Sequence, residues 1–257
     1  MNTPVDVALP GERQRLIVDR LNREGRVIAA DLAVELRVSE DSIRRDLREL
    51  SAQGLCKRVY GGALLMGQVA PLSVRHTENA ELKRSLAQIA AGLVGNGQII
   101  FIDAGSTNTA IASALPEHRD LTVVTNAPDV AAAVLGRPGF EVLLLGGRIH
   151  PKIGGAIGSL TVRQAQGIRA DLCFPGICSI DPVHGLWTYD TEEVVLKQAM
   201  IEASGETIAV ATPDKLIAAA THFTAPVGAI AHLVVAGGTD AVTVEAYRAA
   251  GVSVHLA

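Results

Sequence analysis

Two kinds of hydrophobic spacing divide the chain. In the first quarter, apolar residues recur at helical intervals. Leu16, Ile17, Val18 and Leu21 give one face to a helix predicted over 12–23, which Glu24-Gly25 ends. Arg26-Val27-Ile28 crosses to a short helix over 29–36, with Ala29, Leu32, Ala33 and Leu36 inward. After the turn Arg37-Val38, a third stripe of Ile43, Leu47 and Leu50 recurs at i, i+4 and i+7. Ser39 is placed to cap that helix, and Glu40 and Asp41 to complement its dipole. At about 100° per residue, Asp41, Arg44, Arg45 and Arg48 fall on the face opposite the stripe. Gly54 supplies a helix stop. A strand over 55–60, a turn at Gly61-Gly62 and a return over 63–65 then predict a two-stranded hairpin.

Beyond residue 80 the spacing changes. A helix is predicted over 81–93, with Leu82, Leu86, Ile89 and Leu93 inward. Short apolar runs then alternate with helical segments. Strands are expected at 98–103, 121–125, 140–145, 170–175, 207–211, 232–236 and 252–256. Helices fit 108–115, 128–135, 160–166, 191–203 and 241–250. Such alternation predicts a largely parallel sheet covered on both faces. Gly67–Pro71 reads as a linker that Leu72–Asn79 continues, and residues 1–11 as an extended lead. The expected fold class is α/β, with a small domain of helices and a hairpin at 1–66, a linker at 67–79 and a larger domain at 80–257.

Composition sharpens this division. Hydrophobic residues make up 48% of the chain and aromatic ones only 3%, the aliphatic excess of α/β layers. The net charge of -4 makes the whole chain no bulk polyanion binder, but the charge is uneven. Residues 1–66 hold 11 Lys and Arg against 10 Asp and Glu, and the remainder 12 against 17. Six bases (Arg37, Arg44, Arg45, Arg48, Lys57, Arg58) fall within 37–58 against four acids. Local positive charge suits a module that grips phosphates at one patch. Cys56, Cys173 and Cys178 form no metal-binding spacing and read as small core hydrophobes of a reducing compartment. No apolar run has the length of a membrane span and the N-terminus lacks a signal-peptide core, so no membrane partner and a cytoplasmic location are expected.

Helix, short helix, tight turn and arginine-bearing helix describe a helix-turn-helix, and the basic hairpin after it describes a wing. Arg44, Arg45, Arg48, Lys57 and Arg58 are candidates for phosphate and guanine contacts on a double-stranded operator. Ser39, Asp41 and Ser42 are candidates for base edges. In the second region, Asp103-Ala104-Gly105-Ser106-Thr107-Asn108-Thr109 ends a strand in a hydroxyl-rich loop that opens a helix. Gly105 lets a ligand approach the backbone, and the helix start favours an anion. Asn126, Gly146 and Gly147 lie at other strand ends, and Lys215 at a fourth; convergent polar strand ends predict a small-ligand pocket. No Walker lysine or dinucleotide fingerprint is present, and neither cofactor nor metal is expected. An enzyme would need a poised carboxylate base. Asp103, Asp181, Asp190 and Glu193 are available, and an isomerase or hydrolase carrying a DNA-binding domain is the competing reading.

Ser39-Glu40-Asp41-Ser42-Ile43-Arg44-Arg45-Asp46-Leu47, with Gly54-Leu55, Lys57-Arg58-Val59 and Gly61-Gly62-Ala63, resembles the winged helix of DeoR-family transcriptional regulators. Ser42 stands where that family usually has threonine, and Tyr60 where it usually has histidine. The resemblance continues through Asp103–Thr107, Val124-Thr125-Asn126, Leu145-Gly146-Gly147, Asp171–Gly176 and Glu193–Met200, with Lys197 inside the last. It implies a sensor domain related to ribose-5-phosphate isomerase that binds a phosphorylated sugar or related metabolite. It further implies that Ser106, Thr107 and Lys215 face phosphate, that Asp103 holds sugar hydroxyls, and that the protein is a homo-oligomeric repressor of sugar catabolism. Thr212-Pro213-Asp214-Lys215 departs from the family's usual Asp-Ser-Ser-Lys.

Overall fold

A computed structural model describes residues 10–24, 26–59, 61–65, 72–117, 119–218 and 220–257. They divide into two compact units, one drawn from 1–68 and 217–220, the other from 69–216 and 221–257. The first nine residues of the expected lead, Tyr60 and the linker at 67–71 lie outside the described residues.

The first unit runs α1 (Pro10–Glu24), β1 (Arg26–Ile28), α2 (Ala29–Glu35), α3 (Glu40–Ala52), β2 (Cys56–Val59) and β3 (Gly62–Leu65). Ile17, Leu21, Val27, Leu32, Ile43, Leu47, Leu50 and Cys56 form its core. Helix α3 starts as its sequence dictates, with Ser39 Oγ accepting from Ser42 N at 3.2 Å. It stops at Gly54, whose φ of +74° lets Leu55 N reach back to Leu50 O at 2.9 Å. Three details differ from expectation. Leu16 is 43% exposed, because Ile17 and Leu21 already fill the space beneath α1. The crossing segment 26–28 is a strand that pairs with β3, giving a three-stranded antiparallel sheet in the order β1-β3-β2. Gly62 belongs to that sheet and not to the turn: a Cβ there would stand 1.9 Å from Val27 O.

The acid of the arginine helix is turned inward. Asp46 is 2% exposed and accepts from Arg13 of α1, Nε to Oδ2 at 2.5 Å and Nη2 to Oδ1 at 3.2 Å. Gln14 adds a longer bond to Asp46 Oδ1 at 3.4 Å. This ion pair fixes α3 against α1 from the side opposite its three arginines.

The second unit begins with α4 (Leu72–Thr77) and α5 (Ala80–Gly92). The chain then alternates through β4 (Ile99–Ile102), α6 (Ser106–Ala114), β5 (Leu121–Thr125), α7 (Pro128–Val134) and β6 (Phe140–Leu144). A ribbon of β7 (Arg148–His150) and β8 (Gly155–Ile157) precedes α8 (Ser159–Gln166), β9 (Ala170–Phe174), β10 (Ser179–Asp181), β11 (Gly185–Thr188) and α9 (Thr191–Glu202). The chain closes with β12 (Ser204–Ala211), α10 (Pro213–Ile217), β13 (His222–Ala225), β14 (His232–Val235), α11 (Ala241–Ala249) and β15 (Ser253–Leu256). Seven strands form one parallel sheet in the order β15-β14-β12-β9-β4-β5-β6. All seven expected strands are present, and helices cover both faces. The periodicity did not reveal β10, β11 and β13, a small antiparallel sheet on which Trp187 meets Phe223 edge-on at 5.5 Å. Ile89 is 37% exposed, since the small residues Ala87, Ala90 and Ala91 carry the contact of α5 with the core. Residues 72–77, expected to continue the linker, are a helix within the second unit.

Replacing Asp46 with Ala takes from Arg13 the buried carboxylate that its Nε and Nη2 donate to. Urea unfolding of the full chain should show a loss of about 3 kcal/mol, and a loss within measurement error would mean that Arg13 finds water instead.

Candidate nucleic-acid interface and effector site

The outward face of α3 carries the expected cations. Arg44, Arg45 and Arg48 are exposed there, with Asp41 and Ser39 exposed near its start and Ser42 half-buried. Lys57 and Arg58 are exposed on β2. Arg44 Nη2 donates to Glu40 at 2.6 Å and Arg48 Nε to the Arg44 carbonyl at 3.3 Å, so the side chains lie along the helix ready to exchange partners. Ser39 and Ser42 hydroxyls meet at 2.9 Å. With Asp46 folded inward, the face keeps Asp41 as its own acid beside three arginines. Charge of this kind, on a helix preceding a basic two-stranded flap, is suited to phosphate.

At the carboxyl ends of the sheet strands the expected residues separate into two groups. Asp103 is 1% exposed and its oxygens are committed. Oδ1 accepts from Ala104 N at 2.7 Å, and Oδ2 from Gly176 N at 2.8 Å and from Lys197 Nζ. Lys197 also pairs with Glu193 Oε1 at 3.1 Å, and Thr188 donates to Glu193 Oε2 at 3.0 Å. Burial opposes the charge on Lys197, but the two carboxylates outweigh it and hold its pKa above the ordinary lysine range. Gly176 fits beneath this cluster because a Cβ there would lie 2.5 Å from Ala104 O. Asn108 is likewise committed, donating to the carbonyls of Asp103 and Phe174 at 2.9 Å each. Gly146 gives its N–H to Gln164 at 2.8 Å and its carbonyl to Thr161 at 2.8 Å, and a Cβ at Gly147 would strike Thr161 Oγ1 at 2.2 Å. These two glycines seat α8.

The second group keeps capacity for a ligand. Asn126 is 1% exposed; its Nδ2 donates to Ala156 O at 3.1 Å, while its Oδ1 is buried and accepts nothing among the described residues. A buried acceptor without a donor is costly and calls for a partner. Gly105 (φ +152°) opens α6, with open space where its Cβ would stand. Ser106 and Thr109 line a cleft of about 510 Å³ together with His76, Lys83, Arg84 and Ser113. Thr107, in the same first turn of α6, is half-buried. Lys215 pairs with Asp214 at 3.1 Å. Burial pulls the Lys83 pKa down; the exposed acids Asp214 and Glu78 raise it, and the neighbouring cations Lys215 and Arg75 lower it further. Sequence spacing singled out neither Lys83 nor Arg75. Lys83 left a signal, a lysine at a position of α5 that the helix buries to 8% exposure. Among the described residues no cluster of three His, Cys, Asp or Glu could hold a metal, and no helix is long and apolar enough to cross a membrane.

A basic winged helix followed in sequence by a parallel α/β unit defines a DNA-binding transcriptional regulator with a second domain. The model of the DeoR-like helix-turn-helix domain matches residues 13–69, and that of the DeoR C terminal sensor domain residues 78–236; the chain belongs to the DeoR family of DNA-binding transcriptional regulators. It is 34% identical over 206 residues to the glycerol-3-phosphate regulon repressor of Escherichia coli K12, covering 79% of this chain and 82% of the relative. It is 32% identical over 250 residues to an HTH-type transcriptional regulator of Haloferax volcanii, covering 96% and 97%. Ribose 5 phosphate isomerase A from Neisseria gonorrhoeae aligns over 55% of this chain and 56% of its own, with 16% identity and a TM-score of 0.40.

The thiols report on the packing around the site. Burial raises the pKa of Cys56, Cys173 and Cys178, and Cys178 Sγ is hydrogen-bonded with Thr188 Oγ1 at 3.3 Å. At pH 8 a thiol-titrating reagent should find none of the three in the native chain within minutes and all three in guanidinium. Rapid native labelling of Cys178 would mean that the wall around Glu193 opens.

Proposed function

We propose that the protein is a sequence-specific repressor of a carbohydrate-catabolism operon, released from its operator when a phosphorylated sugar or related metabolite fills the second unit. It acts in the cytoplasm as a homo-oligomer, a dimer or tetramer, and performs no catalysis of its own. Its DNA-binding domain corresponds to 1–66 and its effector-sensing domain to 80–257, with α4 between them. The observation that carries the reading is the division of charge on α3: three arginines outward, the motif's Asp46 locked inward. Arg44, Arg45 and Arg48 contact phosphates and guanine edges, Lys57 and Arg58 flank them from the wing, and Ser39, Asp41 and Ser42 approach base edges.

In the sensor, the effector's phosphoryl group sits against Ser106, Thr107 and Thr109 at the start of α6, with Lys83 and Lys215 supplying charge. Gly105 lets it approach the backbone. The sugar's hydroxyls donate to Asn126 Oδ1; a polyol suits it because this buried oxygen accepts nothing among the described residues. Asp103 is filled by Lys197 and two amides, so its part is to hold the pocket's floor and not to touch hydroxyls. A phosphorylated polyol is also the ligand that the name of the Escherichia coli relative suggests.

The competing enzyme needs an uncommitted carboxylate. Asp103 and Glu193 are tied to Lys197, Asp190 caps α9 through Glu192 N at 2.9 Å, and Asp181 accepts from Val183 N at 2.9 Å and His184 N at 2.6 Å. Each candidate base has a structural task, which favours the switch over the catalyst. Two-fold operator recognition calls for at least two copies. The open edge strand β6, with Leu143 42% and Leu144 53% exposed, supports burial against a second copy. Effector and operator then oppose each other with a coupling of about 1–3 kcal/mol.

Replacing Arg44 and Arg45 with Ala should weaken operator binding by about 100-fold or more in gel shifts, while sugar-phosphate binding, read as a rise in melting temperature, stays unchanged. Retained shifts would defeat the interface assignment. Lys215→Met should blunt release by a sugar phosphate without altering operator affinity; an unchanged response would remove Lys215 from the site.

A further inference from the structure

Helix α4 has six residues, none of them buried, and a helix so short has no stability of its own. It exists because the second unit holds it. Leu72 closes over Gly154, where a Cβ would stand 2.2 Å from Leu72 Cδ2. Arg75 donates to the carbonyls of Lys152 at 2.7 Å and Ile153 at 3.1 Å, and His76 meets Asp129 at 3.1 Å. The last tether is Lys83 of α5, whose ammonium donates to the carbonyls of Arg75 at 2.5 Å and Glu78 at 2.8 Å. These belong to the final turn and the exit of α4, where helix carbonyls lack partners and the dipole is negative. The same lysine lines the cleft that holds Ser106 and Thr109.

We propose that Lys83 is a shared donor and α4 the strap it releases. A phosphoryl group in the cleft offers the ammonium two full negative charges, where the carbonyls of Arg75 and Glu78 offer dipoles, and it draws Lys83 toward Ser106. Helix α4 then loses the partner of its last turn. It is the first described element after β3 of the winged unit, whose last residue, Leu65, lies seven positions before Leu72. The effector's message therefore leaves the sensor through the segment that tethers the DNA-binding unit. This inference rests on the cleft being the phosphate site.

Hydrogen exchange of the full chain tests both steps. Without ligand, Lys83→Met should speed exchange of the amides of residues 75–78 by about tenfold or more, while amides of β4 and β9 keep wild-type rates. In the wild type, saturating inorganic phosphate or glycerol 3-phosphate should speed the same α4 amides, with chloride as control. Wild-type rates in Lys83→Met, or α4 amides that slow or stay unchanged while either anion raises the melting temperature, would overturn the strap. If neither anion moves the melting temperature, the phosphate reading itself fails and release falls with it, whatever Lys83→Met shows about the tether.

Discussion

The second unit is organised around the ion cluster of Asp103, Lys197 and Glu193. One carboxylate at the end of β4 is bonded to its own loop through Ala104, to the exit of β9 through Gly176 and to α9 through Lys197. Three segments distant in sequence are thereby fixed at one point. A buried ion pair is weak evidence of net stability, since desolvation offsets the attraction, but each partner becomes indispensable to the other. The cluster sets position. It places the start of α6, and hence Ser106, Thr107 and Thr109, at a fixed distance from the ends of β5 and β12.

How far the chain could be read beforehand varied with the physics of each element. Helix α3 was legible because its stripe, cap and stop are all local. Even the inward turn of Asp46 had a trace, since the residue lies three after Ile43 and four before Leu50, on the apolar stripe. Its partner Arg13 did not, being 33 residues away on another helix. Helix α9 was harder. Its polarity is inverted, with Glu193 and Lys197 buried while Val195 is 52% exposed, so periodicity alone points the wrong residues inward. Asp103 and Lys197 lie 94 residues apart, and only the parallel sheet brings them together. Helix α4 shows no stripe because it buries nothing. The parallel strands were plain as apolar runs, whereas β7, β8, β10, β11 and β13 are three or four residues long and carry no period.

The two units use charge in different ways. The winged unit is near neutral in total and gains its field by sorting: bases on the outer face of α3 and on β2, an acid folded inside. The sensor carries a net negative charge, so for the phosphorylated ligand proposed above the local cations Arg75, Lys83 and Lys215 matter more than the unit's total charge. Specificity for anions in such a unit comes from where its few cations gather.

At Gly62 the wing crosses β1 so closely that no side chain fits between them. That crossing is backbone against backbone, and it sets the angle of the wing to the rest of its unit independently of what side chains the outer surface displays. On the proposed reading of α3, substitutions along its exposed side can therefore retune which bases are preferred without redrawing the scaffold. A lineage built on this module can acquire new target sequences through surface changes alone, provided Gly62 is left untouched.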